Sequence, residues 1–377
     1  MTASWRFSSL ADRHIALGSK LEDWSGMGTA WSYAKDADAE YMAVRTKAGL
    51  MDVSGLKKVH LNGPHASHLL DRVTTRNVEK LAPGRSVYCS MLDERGKFID
   101  DGIIYRFGPN SFMVVHGSGA GHETMVAGST GKDVSIRFDD NLHDLSLQGP
   151  LAVDFLEKHI PAVRKLAYFA HMPAMLYGHP ITLSRTGYTG ERGYEIFCRG
   201  QDAGHIWDSI LSEGAAMGII PCRFTTLDML RTESYLVFFP YDNSEMYPFA
   251  DEAPGDTLWE LGLDFTVSPG KQGFRGAQEH YRLKGKERFK LFGLKLDSKE
   301  AAKEGSLVFH GDKQVGVVTC PMYSPLNHWS IAIARLDVPV CVQGTPLTVR
   351  GPGGDVNAIA HEMPFYDKDK KRRTVQD

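Results

Sequence analysis

The chain has 377 residues, enough for roughly two or three domains and a buried cleft. Hydrophobic residues make up 42% and charged residues 24%, the balance of a folded globular protein and not of a disordered one. A net charge of −3, with no basic patch interleaved with aromatics, argues against a nucleic-acid partner.

Cys89, Cys198, Cys222, Cys320 and Cys341 are odd in number, scattered and free of C-x-x-C spacing, which speaks against a disulfide framework or zinc site and for a reducing compartment. Residues 1–23 mix charges with short apolar stretches, so neither a signal peptide nor a membrane span is expected. The expected location is the cytoplasm.

The first clear element is Val59-His60-Leu61-Asn62-Gly63-Pro64 followed by residues 65–70, echoed by Leu145-Ser146-Leu147-Gln148-Gly149-Pro150 followed by residues 151–156. Each reads as strand, tight turn and helix, with the glycine permitting a sharp turn and the proline suited to a first helical residue. Two related α+β units follow. Between them, residues 87–92 and 98–107 read as strands joined by Asp93-Glu94-Arg95-Gly96, a hairpin composition. Asp100 and Asp101 therefore lie inside a strand. Alternation places Asp101 with Ile99, Ile103 and Tyr105, and Asp100 with Phe98 and Ile104; both faces carry apolar residues, so the pattern does not choose which carboxylate points inward.

A second hairpin is expected to join residues 181–186 to 194–197 across a segment holding Gly187, Gly190 and Gly193, where Tyr188 and Glu195 supply an aromatic face and a carboxylate suited to a flat, amino-substituted heterocycle. Helical spacing follows at Ile206, Trp207, Ile210 and Leu211, and at Leu227, Leu230 and Arg231. From about Phe289 the pattern turns to short strands with turn signals, the mark of a separate β-barrel or sandwich. Residues 368–373 form a basic run that reads chiefly as a solvated, poorly ordered tail, with a localisation signal or an anionic-ligand contact as the lesser alternatives.

Other motifs carry less. His65-x-x-His68 lacks a third ligand and reads as a surface pair, so no metal is expected. In Gly117-Ser118-Gly119-Ala120-Gly121-His122 a histidine replaces the last glycine of G-x-G-x-x-G, which gives little support to a dinucleotide site.

Taken together, Ala43-Val44-Arg45-Thr46-Lys47-Ala48-Gly49-Leu50-Met51-Asp52-Val53-Ser54, the Gly-Pro turns, Ile99-Asp100-Asp101, residues 185–195 and Ser324-Pro325 resemble the aminomethyltransferase (glycine cleavage T-protein) family. The resemblance implies an α+β, three-domain, clover-like fold with tetrahydrofolate in a central channel. The expected division is 1–52 with 141–285 as a discontinuous folate-binding domain, 53–140 as a second α+β domain, and 286–377 as a C-terminal β domain. It further implies that Glu195 pairs with the pterin's amino edge, that Tyr88 and Tyr188 contact the folate, and that Asp101 is the catalytic aspartate. A carboxylate accepting paired N–H bonds and aromatic rings stacking on a flat heterocycle agree with those roles.

Two departures bear on the substrate. Leu227 stands before Asp228 where T-proteins carry arginine, and His116 replaces an asparagine; Arg223 and Arg231, a helical turn to either side, are candidates to compensate. His116 and Arg223 thus join the expected folate contacts. The aromatics Phe239, Tyr241, Tyr247, Phe249 and Trp259, with Trp24, Trp31 and Tyr33, suggest a cage for a methylated onium group. The leading expectation is therefore a demethylase that moves a methyl group from a small ammonium or sulfonium compound, such as glycine betaine or dimethylsulfoniopropionate, to tetrahydrofolate. The alternatives are an aminomethyltransferase served by a lipoyl carrier protein and a non-catalytic folate-binding iron–sulfur assembly factor. The last is marked by a Lys-Gly-Cys motif, which residues 270–276 lack.

Overall fold

The computed structural model describes residues 5–248 and 255–376; Phe249 lies outside them. The two Gly-Pro repeats end matching strands in two sheets. Lys57–Asn62 runs into Gly63 and the helix Ala66–Val73, and Leu142–Gln148 into Gly149 and the helix Ala152–Glu157. Both glycines have positive φ, +140° and +133°, and a Cβ there would lie 2.5 Å from the carbonyl oxygens of Asp133 and Lys47. Only glycine permits both the conformation and the approach. The helices start two residues beyond each proline, so Pro64 and Pro150 belong to the turns and not to a first helical position.

A five-stranded sheet is built from the strands of residues 57–138, in the order Ser86–Leu92, Phe98–Gly108, Ser111–His116, Lys57–Asn62, Ser135–Phe138. A six-stranded sheet takes Ala48–Asp52 and strands from residues 142–221, with Leu142–Gln148 between Gly193–Arg199 and Ala48–Asp52. Six further strands between Phe289 and His361 close into a barrel. A small three-stranded sheet, from Arg6–Phe7, Glu22–Trp24 and Met27–Thr29, precedes them.

Both expected hairpins are present. Ser90 and Met91 oppose Asp101 and Asp100, and Ser184 opposes Glu195. The expected helices are Gly200–Gly214 and Phe224–Glu233. One face of the six-stranded sheet packs Leu145, Leu147, Ile196 and Cys198 against Gly200–Gly214 and Ala152–Glu157. The opposite face meets the five-stranded sheet through Phe197, Leu142, Tyr105, Met113 and Val115. Residues 258–277 wedge between the five-stranded sheet and the barrel, where Leu258, Leu261 and Phe274 join Phe98, Leu291 and Ile333.

The basic run is mostly exposed, as expected of a solvated tail, but its end is docked on the body. Residues Lys371–Thr374 form a helical turn, Arg372 donates to Glu191 (2.8 Å) and to the Arg45 carbonyl (3.1 Å), and Arg185 donates to the Val375 carbonyl. A buried acid on the folded body pulls one cation of the run inward and the backbone follows.

Arg45 ties the six-stranded sheet to the helix Phe224–Glu233 and, through Glu233, to the barrel. Its guanidinium donates to Glu191 (3.1 Å), Glu233 (2.8 Å) and the carbonyls of Thr189 and Leu230, and Glu233 also accepts from Tyr41 and from the barrel residue Ser324. Arg45, Glu191 and Glu233 are each about 1% exposed or less at the side chain. Replacing Arg45 with Met leaves the buried Glu233 without a cation and Glu191 with Arg372 alone, and is expected to cost about 3–5 kcal/mol of stability. Arg350→Met, which removes an exposed pair with Asp355, is expected to cost about 1 kcal/mol or less. Urea denaturation midpoints check both, and equal small shifts would overturn the assigned role of Arg45.

Candidate active site between the two sheets

The strand Phe98–Gly108 decides the question that alternation left open. Asp100 is fully buried on the face of Ile104 and Met91, where its carboxylate accepts from His116 Nδ1 (2.8 Å) and the Gly121 amide (2.8 Å) at the start of helix Gly121–Gly128. Asp101 lies on the other face and remains partly accessible. Its Oδ2 accepts from Tyr88 at 2.5 Å. Burial lifts the Asp101 carboxyl to about 7, the Asp100 charge adds to the rise, and the Tyr88 hydrogen bond opposes it. A carboxyl group there holds or releases a proton near neutral pH.

Further along the same face, Tyr105 donates to Glu195 Oε2 (3.2 Å), which also accepts from Thr186. Oε1 of this buried carboxylate takes no hydrogen bond among the described residues, and burial raises the Glu195 pKa. The glycines around it serve close packing: a Cβ at Gly187 or Gly193 would lie 2.1 Å from Gln148 Oε1. Gln148 in turn donates to Ser146 (3.0 Å) and the Thr186 carbonyl (3.1 Å), holding the loop against the sheet. Tyr188 donates to the carbonyls of Leu236 and Val237, and its phenol is raised by burial, with Asp101 among the charges acting on it. Tyr88, Asp101, Tyr188 and Glu195 thus share the region between the two sheets.

Two expected folate contacts are placed elsewhere. His116 is buried against Asp100, on the far side of the strand from Asp101. Arg223 is spent on Glu40, which it meets at 2.9 and 2.6 Å, and on the carbonyls of Tyr33 and Lys35. Arg231 does not compensate for Leu227 either, because Asp228 (2.7 Å) and Asp242 (2.6 Å) hold it in a buried pocket beside Cys320.

The aromatics do not converge on one cage. Trp24 and Trp31 pack on Phe224, with ring centroids 4.8 and 4.3 Å away, and Tyr241 stacks on Phe238 at 5.0 Å. The cation over Phe238 is the protein's own Arg231, 5.5 Å from the ring. Tyr33 bonds His14 (2.9 Å), Phe239 meets Phe98 edge-on, Tyr247 donates to Glu304 on the barrel side, and Trp259 stacks on His280. His65 accepts from the Asp133 amide and His68 faces Glu79, so neither of that pair is oriented toward a shared ligand.

Sequence reasoning missed two buried ionisable groups that act on each other electrostatically, Asp144 and Lys58. Both Asp144 carboxylate oxygens are buried without a hydrogen-bond partner, and burial and the Glu195 charge raise its pKa. Lys58 donates to the carbonyls of Ser54 (2.7 Å) and Leu56 (2.6 Å), and burial draws its ammonium down to about 8 against the pull of Asp144. The available signal was a charge inside each of the strands Lys57–Asn62 and Leu142–Gln148. Thr186 and Tyr105, which fix Glu195, were named only for their places in the chain.

Because the Asp101 pKa in the folded state lies above the ~3.9 of an unfolded aspartate, the native state retains a proton that the unfolded state loses. Its contribution therefore declines as pH rises from about 4 to 7. Asp101→Asn should gain stability relative to the parent across that window, and Tyr88→Phe, by removing the opposing hydrogen bond, should push the upper edge of the window higher. Denaturation midpoints at pH 5, 6, 7 and 8 check this; a difference independent of pH would contradict it.

Residues 10–271 match the GCVT N-terminal domain and residues 290–367 the glycine cleavage T-protein C-terminal barrel domain. A heme-dependent oxidative N-demethylase gamma subunit of Ectopseudomonas mendocina (strain ymp) is 63% identical over 376 residues, 100% of each chain. A trimethylamine-oxide aldolase of Ruegeria pomeroyi is 35% identical over 350 residues, 88% of this chain but only 43% of that protein. An aminomethyltransferase of Bacillus pumilus is 31% identical over 364 residues, 94% and 96% of the two chains. The glycine cleavage system aminomethyltransferase T of Bartonella henselae shares the fold, with a TM-score of 0.87 at 24% identity over 97% of this chain and 99% of that one. The chain belongs to the aminomethyltransferase (glycine cleavage T-protein) family of tetrahydrofolate-dependent one-carbon transferases.

Proposed function

We propose that this enzyme receives a one-carbon unit at the oxidation level of formaldehyde, generated by oxidative N-demethylation of a methylated amine, and joins it to tetrahydrofolate as 5,10-methylene-tetrahydrofolate. The observation that carries this reading is the end-to-end identity of 63% with an oxidative N-demethylase gamma subunit. Oxidising an N-methyl carbon and splitting off the amine leaves carbon at the formaldehyde level. An aldolase acting on trimethylamine oxide releases carbon at the same level, which fits the second relative. The scattering of the aromatics removes the main support for an onium cage, and with it the preference for glycine betaine or dimethylsulfoniopropionate as direct methyl donor.

The condensation balances as CH2O plus two N–H groups giving N–CH2–N plus water. Two C–N bonds form, the C–O double bond is lost, and the two nitrogen protons leave with the oxygen; nothing is oxidised or reduced. One group must therefore give and take protons at the reacting nitrogens. Asp101, with a pKa near 7 and Tyr88 holding its orientation, suits that work. Glu195 suits the acceptor's amino edge, because Oε1 is available while Thr186 and Tyr105 fix Oε2. Tyr88 and Tyr188 offer ring faces nearby.

The test is a rate measurement with the purified chain, tetrahydrofolate and 13C-formaldehyde, scored for labelled methylene-tetrahydrofolate above the spontaneous reaction. Acceleration is expected, and Asp101→Asn should lower it by about 10²–10⁴-fold while folate binding persists. No acceleration, together with 5-methyl-tetrahydrofolate formed from glycine betaine or dimethylsulfoniopropionate, would replace this reading with direct methyl transfer. Turnover only with a lipoyl-bound aminomethyl donor would make the chain an ordinary aminomethyltransferase.

A further inference from the structure

His116 interrupts an apolar face. Phe112 and Val114 fill the helix-covered side of the strand Ser111–His116, and the next position on that side is a histidine only 1% exposed. Its Nδ1 meets Asp100 Oδ2 at 2.8 Å, whereas Nε2 is buried without a hydrogen-bond partner among the described residues. An imidazole placed there leaves one nitrogen unmet, a cost that an apolar side chain would not carry, so packing alone does not account for it.

Asp100 carries that contact across the strand. Its Oδ2 also accepts from the Gly121 amide (2.8 Å), and its Oδ1 accepts from the backbone amide of Asp101 (2.9 Å). The run Gly117–Gly121, which gave little support to a dinucleotide site, is shaped around this carboxylate: a Cβ at Gly119 would lie 2.5 Å from Asp100 Cγ, and one at Gly121 2.7 Å from Oδ2. On its outer side the loop borders a cavity of about 400 Å³ through Ser118, Gly119 and Ala120. Its further holds are the Ala120 amide on the Ile99 carbonyl (3.2 Å) and Ser118 on Ser25 (2.8 Å). The other ionisable groups of this layer are Tyr88, Cys89 and Tyr188 about Asp101, Arg76 and Lys271 about Cys89, Lys57 opposite His116 in the ladder, and His122. None of them bonds to Asp100 among the described residues, so the hold on its carboxylate comes from His116 and the two amides.

We propose that His116 is a positioning residue for the one-carbon transfer: with the glycine loop it fixes the Asp100 carboxylate against the amide of Asp101, and so sets the direction and the electrostatic surroundings of the Asp101 side chain. Its part in the transfer rests on the proposed function, whereas its hold on Asp101 does not. The Asp100 charge is among the causes that lift Asp101 to about 7, so a change in the donors to Asp100 reaches Asp101 without touching it. The histidine itself stays on the far side of the strand and meets neither acceptor nor one-carbon unit.

The experiment is a carboxyl 13C NMR titration of the full chain labelled at aspartate, with the Asp101 signal assigned from Asp101→Asn, run beside the labelled-formaldehyde rate assay. The parent midpoint is expected at about 7. His116→Leu takes a donor from Asp100, and a carboxyl group with fewer donors holds less negative charge, so the Asp101 midpoint should fall by about half a unit or more. The transfer rate should fall about tenfold while the Kd for tetrahydrofolate stays within about twofold. His116→Asn, whose amide nitrogen can take the place of Nδ1, should recover most of both losses. In an Asp100→Asn background His116→Leu should add nothing, because its action runs through Asp100. Should His116→Leu fail to fold, Asp100→Asn alone decides, since it too should lower the Asp101 midpoint. A midpoint unmoved by these substitutions, or losses that add in the double variant, overturns the positioning role and leaves the proposed function standing. A midpoint that falls as expected in a chain that does not accelerate methylene-tetrahydrofolate formation overturns the proposed function and leaves the hold of His116 on Asp101 intact.

Discussion

The structure depends on one buried cation. Arg45 leaves the helix Ala37–Thr46 and reaches the Glu191 loop, the end of helix Phe224–Glu233 and, through Glu233, barrel residue Ser324. Glu233 also receives the backbone amides of Phe365 and Tyr366 at its carbonyl, which brings the chain's last segment to the same point. A guanidinium suits this position because its planar fork serves several acceptors at fixed angles and stays charged when buried. The ring of Tyr366, 3.9 Å from the Arg45 guanidinium, closes the remaining side. Charges so far from water are tolerated because both terminal nitrogens of Arg45 and the carboxylates they meet are hydrogen-bonded, and that requirement holds the loop of residues 185–195 and the barrel in register with the six-stranded sheet.

The candidate site follows from this docking. Two sheets that each bury an apolar face outward, under their own helices, are left facing one another across an interior that sets buried polar groups beside the apolar contact of Phe197, Leu142, Met113 and Val115. Asp101 and Tyr105 project from one sheet and Glu195, Asp144, Ser146 and Gln148 from the other. Burial then does chemical work by raising both Asp101 and Glu195, and it brings Asp101 to about 7, where it can carry a proton near neutral pH. The adjacent Asp100 has a different task. Held by His116 and a helix amide on the opposite face of the strand, it adds to the rise of its neighbour.

The aromatic residues teach the opposite lesson. Their clustering in sequence suggested a single binding surface, yet they serve as contacts among the N-terminal segment, the helix Phe224–Glu233, the barrel and residues 258–282. Apolar rings near one another along a chain report only that this stretch must be buried. Which partner buries each ring is set by the units that meet there.

Much of the fold was legible in the sequence because its signals are local. Gly63-Pro64 and Gly149-Pro150 mark strand ends, since positive φ and a close carbonyl admit no side chain. The hairpin at residues 93–96, the helix through Trp207 and the change to strands near Phe289 are read from composition and period. The motifs around Arg45, Asp101 and Glu195 carried the family resemblance. What the sequence could not decide was every pairing between distant charges. The face of Asp101, the capture of Arg223 by Glu40, the saturation of Arg231, the burial of Asp144 beside Glu195 and the docking of Arg372 on Glu191 join residues far apart in the chain. Those outcomes depend on which acid or base lies within about 4 Å once the sheets and barrel have packed, and desolvation then sets the strength of each. Local sequence therefore determined the elements and the residue types of the site, whereas tertiary packing decided which of those charges were consumed by the fold and which remained for chemistry.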